Sequence, residues 1–281
     1  MSIHSTAIVD RRAEVDPTAE IGPYVVIDGP VRIGPRTRVR PFAFLTGWAE
    51  IGADCEIFSG AVVGEQPQDT AYGGEKSYCR IGDGTIIREG ASVHRGTDAG
   101  TTTVLGRKCF IMAGAHVAHN CKLGDEVIVV NGTLLGGHVH VGAGTVISGL
   151  AGIHQFVRIG ELVMVGGVTK ITKDVPPYFM ADRQACVGVN SVGLRRAGFT
   201  KAERDDVRLA YRLLYRSGIE FREAVEAVAA AVKTERGRRI SEFLSAPSKR
   251  GILAGVRSRA ENSTNAGQPS AVSSVEDLGD D

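Results

Sequence analysis

Aliphatic residues recur at every sixth position in two long runs. The first reads Ile3, Val9, Val15, Ile21, Ile27, Ile33, Val39, Leu45, Ile51, Ile57, Val63, and the second runs from Leu105 through Ile111, Val117, Leu123, Val129, Leu135, Val141, Ile147, Ile153, Ile159 and Val165 to Ile171. Four positions after each comes a small or β-branched residue, such as Ala19, Cys55, Cys109, Ala115, Val127 or Thr145. A period of six fits neither a helix at 3.6 residues nor a plain strand at 2. It fits a short flat strand and a corner, repeated, which predicts a parallel β-helix of hexapeptide repeats. Three faces close one coil of a triangular prism, so residues 18 apart stack at about 4.8 Å. Two inward rows then bury a continuous core, at about 25 cal/mol per Å² of apolar surface.

The period fails at Glu65–Arg80 and again at Gly96–Val104, resuming at Ile81 and Leu105. Residues 1–183 are therefore read as the prism, with insertions at 64–80 and 96–104. Long loops that interrupt a regular scaffold are commonly functional. After Pro176–Pro177 the pattern turns helical, and 184–260 reads as a small α-helical domain. Thr200 and Glu203 predict a capping box. Val207, Ala210, Tyr211 and Leu214 predict one helix face, and Phe221, Ala224, Val225, Val228 and Val232 a second; a short third helix is expected near 239–244. Residues 261–281 are Ser/Asn/Gly/Ala-rich without periodicity and read as a disordered tail.

Composition adds three points. The net charge is only +1, yet residues 190–260 hold 16 Lys/Arg against 8 Asp/Glu, which suits an acidic partner or a phosphate-bearing ligand. Cys55, Cys109 and Cys121 occupy the small inward slot, Cys79 and Cys186 lie outside the repeat, and no disulfide or metal spacing appears, as expected of a reducing cytoplasm. The first residues lack the pattern of a signal peptide, and no apolar run is long enough to span a membrane.

Candidate chemistry follows from the stacking. Eighteen residues beyond His119 lies Gly137, and 18 beyond that lies Gln155, with His138 and His154 one residue off that line. None of the seven histidines falls on an inward slot, so one outer edge gathers several of them beside glycines. Histidine is the side chain best suited to moving a proton near pH 7. No serine or cysteine nucleophile with a paired base is apparent, which favours direct attack by a substrate hydroxyl. A backbone N–H at Gly137, unobstructed by a Cβ, suits a developing oxyanion. Two other readings stand beside this one. The first is a metalloenzyme like the γ-class carbonic anhydrases, although the spacing of His116 and His119 does not reproduce that ligand set. The second is a non-catalytic scaffold whose histidines bond neighbouring chains.

Several segments resemble one family, the acyl-carrier-protein:UDP-N-acetylglucosamine O-acyltransferases of lipid A synthesis: REGASVHRGT at 88–97, AHVAHNC at 115–121, GGHVHV at 136–141, IHQF at 153–156, DVPPY at 174–178 and GVNSVGLRRAGF at 188–199. The resemblance implies a left-handed parallel β-helix with a C-terminal helical domain, assembled as a cytoplasmic homotrimer with active sites between prisms. It implies an (R)-3-hydroxyacyl-carrier protein, with its phosphopantetheine, as donor and a UDP-sugar as acceptor, with no other cofactor, no metal, no nucleic acid and no integral membrane segment. By motif, His119 is the general base and Gly137 the oxyanion donor. Gln68, Asp69, His116, His138, His154, Gln155, Asn190 and Arg196 match substrate-binding positions, and Gly167 matches the position that limits acyl-chain length. The sequence departs from the family at Asn120, where many members have Asp, at Ala71 for Lys, at Val192 for Glu and at Ala197 for a second Arg. Residues 181–188 are also a shorter segment. These departures bear on the acceptor, so acylation of a 3-amino sugar nucleotide on nitrogen is the alternative within the same chemistry.

Overall fold

A computed structural model describes residues 2–256. Short strands alternate with corners from Ser2 to Ile171 and stack into three parallel sheets, here called faces A, B and C. Phe110–Ile111 lies on face A, His116–Val117 on B, Lys122–Leu123 on C, and the chain returns to A at Ile128–Val129. Register partners are 18 apart, as in Ile111 with Val129, Val117 with Leu135 and Leu123 with Val141. The prism is a left-handed parallel β-helix. Both inward rows are buried from Ala19 to Val175, but the first coil is not: Ile3 is 37 % exposed because no coil lies beneath it.

Register corrects the reading of the interruptions. Tyr78–Ile81 pairs with Trp48–Ile51 on one side and Thr102–Leu105 on the other, so Cys79 sits between Ala49 and Thr103. Cys79 therefore belongs to the repeat and fills an inward slot; burial pushes its thiol up to about 12. The excursions narrow to 66–77 and 95–101. Both leave a face-B strand and rejoin on face C. They thus rise from the same edge of the prism.

The top of the prism is closed by an antiparallel hairpin, Phe179–Asp182 with Ala185–Val189, which extends face A past residue 183. Helices follow: α1 (Ser191–Arg196), α2 (Lys201–Arg216), α3 (Phe221–Ala231) and α4 (Glu235–Ser245). Thr200 and Glu203 close the capping box, and Val207, Ala210, Tyr211 and Leu214 are the buried face of α2. In α3, Ala224 and Val228 are buried, whereas Phe221 in the first turn stays exposed. Ile252 and Gly255 bridge back to Asp174 and Cys186, tying the chain to the prism. The tail at 261–281 lies outside the described residues, as do 257–260. Among the described residues, no helix is long and apolar enough to cross a membrane.

The three outer faces differ in chemistry. Face C carries a charged column, Glu14, Arg32, Glu50, Arg80, then Lys122, His140 and Arg158 beyond Val104. Face A is charged only in its first coils and then apolar: Ile86, Phe110, Ile128, Val146, Met164, Met180. Face B begins apolar with Ile8, Val26, Phe44 and Val62. Along the A–B edge Tyr24 stacks on Phe42 with ring centroids 5.2 Å apart, glycines 60, 90, 114 and 132 follow, and Leu150 and Val168 stand exposed above them.

Candidate active site

His119 occupies the corner between faces B and C, and the two insertions rise from the coils just below it. His138 N–H donates to His119 O and Phe156 N–H to Gly137 O, both at 3.0 Å, so the stacked line His119, Gly137, Gln155 is as the arithmetic predicts. The imidazole points away from the prism core. It is nonetheless only 8 % exposed, because Thr97 and Asp69 of the two loops lie against it.

The hydrogen bonds around that ring fix its tautomer. Its Nδ1 is 2.7 Å from Thr97 Oγ1 and 2.9 Å from Asn120 Oδ1. The same Asn120 oxygen accepts the Thr97 backbone N–H at 3.0 Å. A backbone N–H only donates, so the Asn120 atom facing Nδ1 is its oxygen, and Nδ1 must carry the hydrogen. In the neutral ring Nε2 is then the bare nitrogen, with Asp69 Oδ2 3.8 Å away. Asn120 thus supplies the orienting oxygen that a carboxylate would, without its charge. Its φ of 60° is left-handed, a region Asn tolerates.

Gly137 fits against Nε2 only because it has no side chain: a Cβ there would lie 2.5 Å from both His119 Cε1 and Nε2. Its neighbours Gly136 and His138 donate their N–H groups to Ile153 O and His119 O. Among the described residues the Gly137 N–H has no acceptor, leaving it free beside the bare nitrogen.

Other histidines surround this pair. His116 Nδ1 is 2.8 Å from Ser92 Oγ, and its ring meets that of His94 edge-on at 4.7 Å. Burial, with the nearby His116, pushes His94 down to about 4, and burial also lowers His116 and His138. All three are therefore neutral near pH 7. His138 stacks on Phe156 at 4.6 Å, and Lys249 Nζ lies 4.3 Å above the far ring. His154 Nδ1 lies 3.2 Å from Gln155 O, one coil above Gly137.

A groove of about 760 Å³ runs from this corner across face B. Gln68, His116, His119, Gly137, His154 and Gln155 line its polar end, and Leu134, Leu150, Ile153 and Val168 its apolar end. Gly167 does not itself line the groove; it adjoins the far rim through Val168, on the A–B edge. Asp69 sits over the polar end beside His119.

Asn190 and Arg196 are not part of this cluster. Asn190 caps α1 and donates from Nδ2 to Leu162 O at 2.8 Å, on the C–A edge; Arg196 is exposed at the end of that helix. The same edge carries Glu161, which accepts Arg239 Nη1 at 2.9 Å and the Tyr178 hydroxyl, fastening the helices to the prism. Sequence reasoning missed Thr97 as a contact of His119, and also missed Arg95. Buried Arg95 donates to Gly64 O at 2.8 Å and Tyr72 Oη at 2.9 Å, holding the first loop down. The available signal was that both interruptions follow a face-B strand.

Two family models match the chain: a UDP N-acetylglucosamine O-acyltransferase second domain over residues 174–253, and the bacterial transferase hexapeptide over 102–137. An acyl-[acyl-carrier-protein]–UDP-N-acetylglucosamine O-acyltransferase of Syntrophobacter fumaroxidans is 41 % identical over 258 residues, covering 90 % of this chain and all of the relative. Among solved structures, the UDP-N-acetylglucosamine O-acyltransferase of Moraxella catarrhalis superposes with a TM-score of 0.86 at 38 % identity, covering 90 % of this chain and 100 % of that one. The UDP-N-acetylglucosamine acyltransferase of Francisella novicida gives a TM-score of 0.86 at 36 % identity, covering 90 % and 94 %.

Proposed function

The chain belongs to the acyl-[acyl-carrier-protein]–UDP-N-acetylglucosamine O-acyltransferase family, and on that premise we propose that it transfers an (R)-3-hydroxyacyl chain from acyl carrier protein to the 3-hydroxyl of UDP-N-acetylglucosamine, the first step of lipid A synthesis. The observation that carries the reading is the geometry at His119: its Nδ1 faces the Asn120 oxygen and its Nε2 stands against Gly137, whose N–H has no acceptor among the described residues. Nε2 takes the hydroxyl proton as the sugar oxygen attacks the thioester carbonyl. The carbonyl oxygen, now an anion, accepts the Gly137 N–H. Collapse expels the pantetheine sulfur as thiolate, and the imidazolium returns the proton to it, leaving free carrier protein and the ester. Gln68, Asp69, His116, His138, His154 and Gln155 surround the sugar nucleotide and the acyl thioester. No cofactor beyond the donor's phosphopantetheine is needed, and the cytoplasm is where that donor and a UDP-sugar meet.

A homotrimer completes the site. The apolar columns on faces A and B favour being covered, whereas the charged face C favours water. Packing face A of one chain against face B of the next turns three A–B edges toward a common axis. The glycines at 60, 90, 114 and 132 let those edges approach. The same packing brings the C–A edge of one chain, with Asn190 and Arg196, to the B–C edge of its neighbour, with His119. A guanidinium there suits a pyrophosphate. It also roofs the groove with an apolar face, and Gly167 beside its far rim leaves room for a long acyl tail.

The test is release of the carrier-protein thiol. Release that requires UDP-N-acetylglucosamine, and that is lost in His119→Ala, supports the reading. Release at the same rate without a sugar nucleotide, or undiminished in His119→Ala, overturns it.

A further inference from the structure

Residues Arg95–Thr97 join the two loops to the base. Arg95 N–H donates to Glu65 O at 3.0 Å and Gly96 N–H to Tyr78 O at 3.1 Å, so this segment closes the stem of the first loop at both ends. Gly96 admits no side chain, since a Cβ would lie 2.7 Å from the Thr101 carbonyl. The next residue, Thr97, is 6 % exposed and turns two of its polar groups to the base's surroundings: Oγ1 stands 2.7 Å from His119 Nδ1, and the backbone N–H holds at 3.0 Å the Asn120 oxygen that faces the same nitrogen. No carboxylate touches Nδ1 among the described residues. Where a charged partner is lacking, orientation has to come from neutral oxygens held rigidly.

Resting on the reading of His119 as the base, we infer that Thr97 is its positioning residue. Its hydroxyl and amide, locked to the stem of the first loop, keep Nδ1 protonated and Nε2 aimed at Gly137. A carboxylate would stabilise an imidazolium by charge; Thr97 and Asn120 do so by two dipoles whose orientation is set before substrate arrives. Their contribution is therefore largest when the ring becomes charged, in the transition state, because a hydrogen bond to an ion is stronger than one to a neutral group. Substrate binding itself changes little.

The experiment compares the full chain with Thr97→Val, which keeps shape and backbone but removes the hydroxyl, and with Thr97→Ser, which returns it. In ¹⁵N-histidine-labelled protein at alkaline pH, with His119 signals assigned by their loss in His119→Gln, the wild type should show a protonated Nδ1 and a bare Nε2. The Nδ1 proton should move upfield in Thr97→Val and return in Thr97→Ser. In turnover, Thr97→Val should lower kcat about ten- to a hundredfold while KM for the sugar nucleotide stays within about twofold. Thr97→Ser should recover most of that loss. A wild-type His119 protonated on Nε2, an Nδ1 proton unmoved by Thr97→Val, or a kcat within about twofold of wild type each overturns the assignment. If the wild type acylates no sugar nucleotide, the proposed function fails, and the nitrogen and proton shifts still decide the role of Thr97.

Discussion

Gly137→Ala is the smallest change that reaches the chemistry. The added methyl would lie 2.5 Å from Cε1 and Nε2 of His119, whereas ordinary carbon contacts begin near 3.4 Å. The ring or the corner must therefore yield by close to 1 Å. The ring is not free to swing, because Thr97 and Asn120 hold Nδ1 at 2.7 and 2.9 Å. Overpacking of this kind costs about 1–3 kcal/mol of stability, too little to unfold a prism with an uninterrupted core. A displacement of about 1 Å at a reacting atom costs roughly a hundredfold in rate. The assay pairs thermal unfolding with steady-state kinetics. Gly188→Ala serves as control, since a Cβ there meets nothing within 4 Å. The expected result is a folded Gly137→Ala enzyme with kcat down about a hundredfold and a control near wild type. A Gly137→Ala enzyme with wild-type kcat would refute the argument that Nε2 and the Gly137 N–H act on the same atoms.

Three further outcomes are expected. His119→Ala should keep the fold, since the ring lies outside both inward rows, and reduce kcat by about 10²–10⁴; circular dichroism and turnover check both halves. Acid should destabilise the protein through its buried histidines. His94 titrates near 4 in the fold against an ordinary 6.5, so the unfolded chain binds more protons between those values. The stability it contributes is complete above about pH 6.5 and is lost as pH falls toward 4, by an amount of the order of 3 kcal/mol. Urea unfolding midpoints across that range should fall less steeply for His94→Phe, and an unchanged slope would discard the claim. Gly167→Met should shift donor preference toward shorter acyl chains, each CH₂ excluded from the groove being worth about 0.8 kcal/mol; competition between donors of different length reads this, and an unaltered preference counts against Gly167.

The prism was legible because its signal is long-range and redundant. Dozens of inward positions obey one period, and adding 18 to a residue number lands on its neighbour in the next coil, as it does from His119 to Gly137. The same arithmetic lost Cys79, because a loop hid the phase until register with Ala49 and Thr103 fixed it. Depth was harder to read than direction. An outward position does not reveal that loops starting elsewhere fold over it, so the burial of His119 and its contact with Thr97 follow only from the three-dimensional fold. Ile3 illustrates the converse, an inward residue left exposed because the stack ends there. The six residues of α1 carry Gly193 and too few positions for a helical period to show. Asn190 and Arg196 matched a motif, but a motif does not say which edge of the prism a residue occupies.

The central claim is that an ester forms at the 3-hydroxyl of UDP-N-acetylglucosamine. The most direct measurement is the mass and alkali lability of the product made from (R)-3-hydroxyacyl-carrier protein, with UDP-N-acetylglucosamine and its 3-amino counterpart offered separately. The expected result is one acyl chain added to UDP-N-acetylglucosamine and released by mild base, as an ester is. No acylated UDP-N-acetylglucosamine, with a base-stable product formed only from the amino sugar, would contradict it.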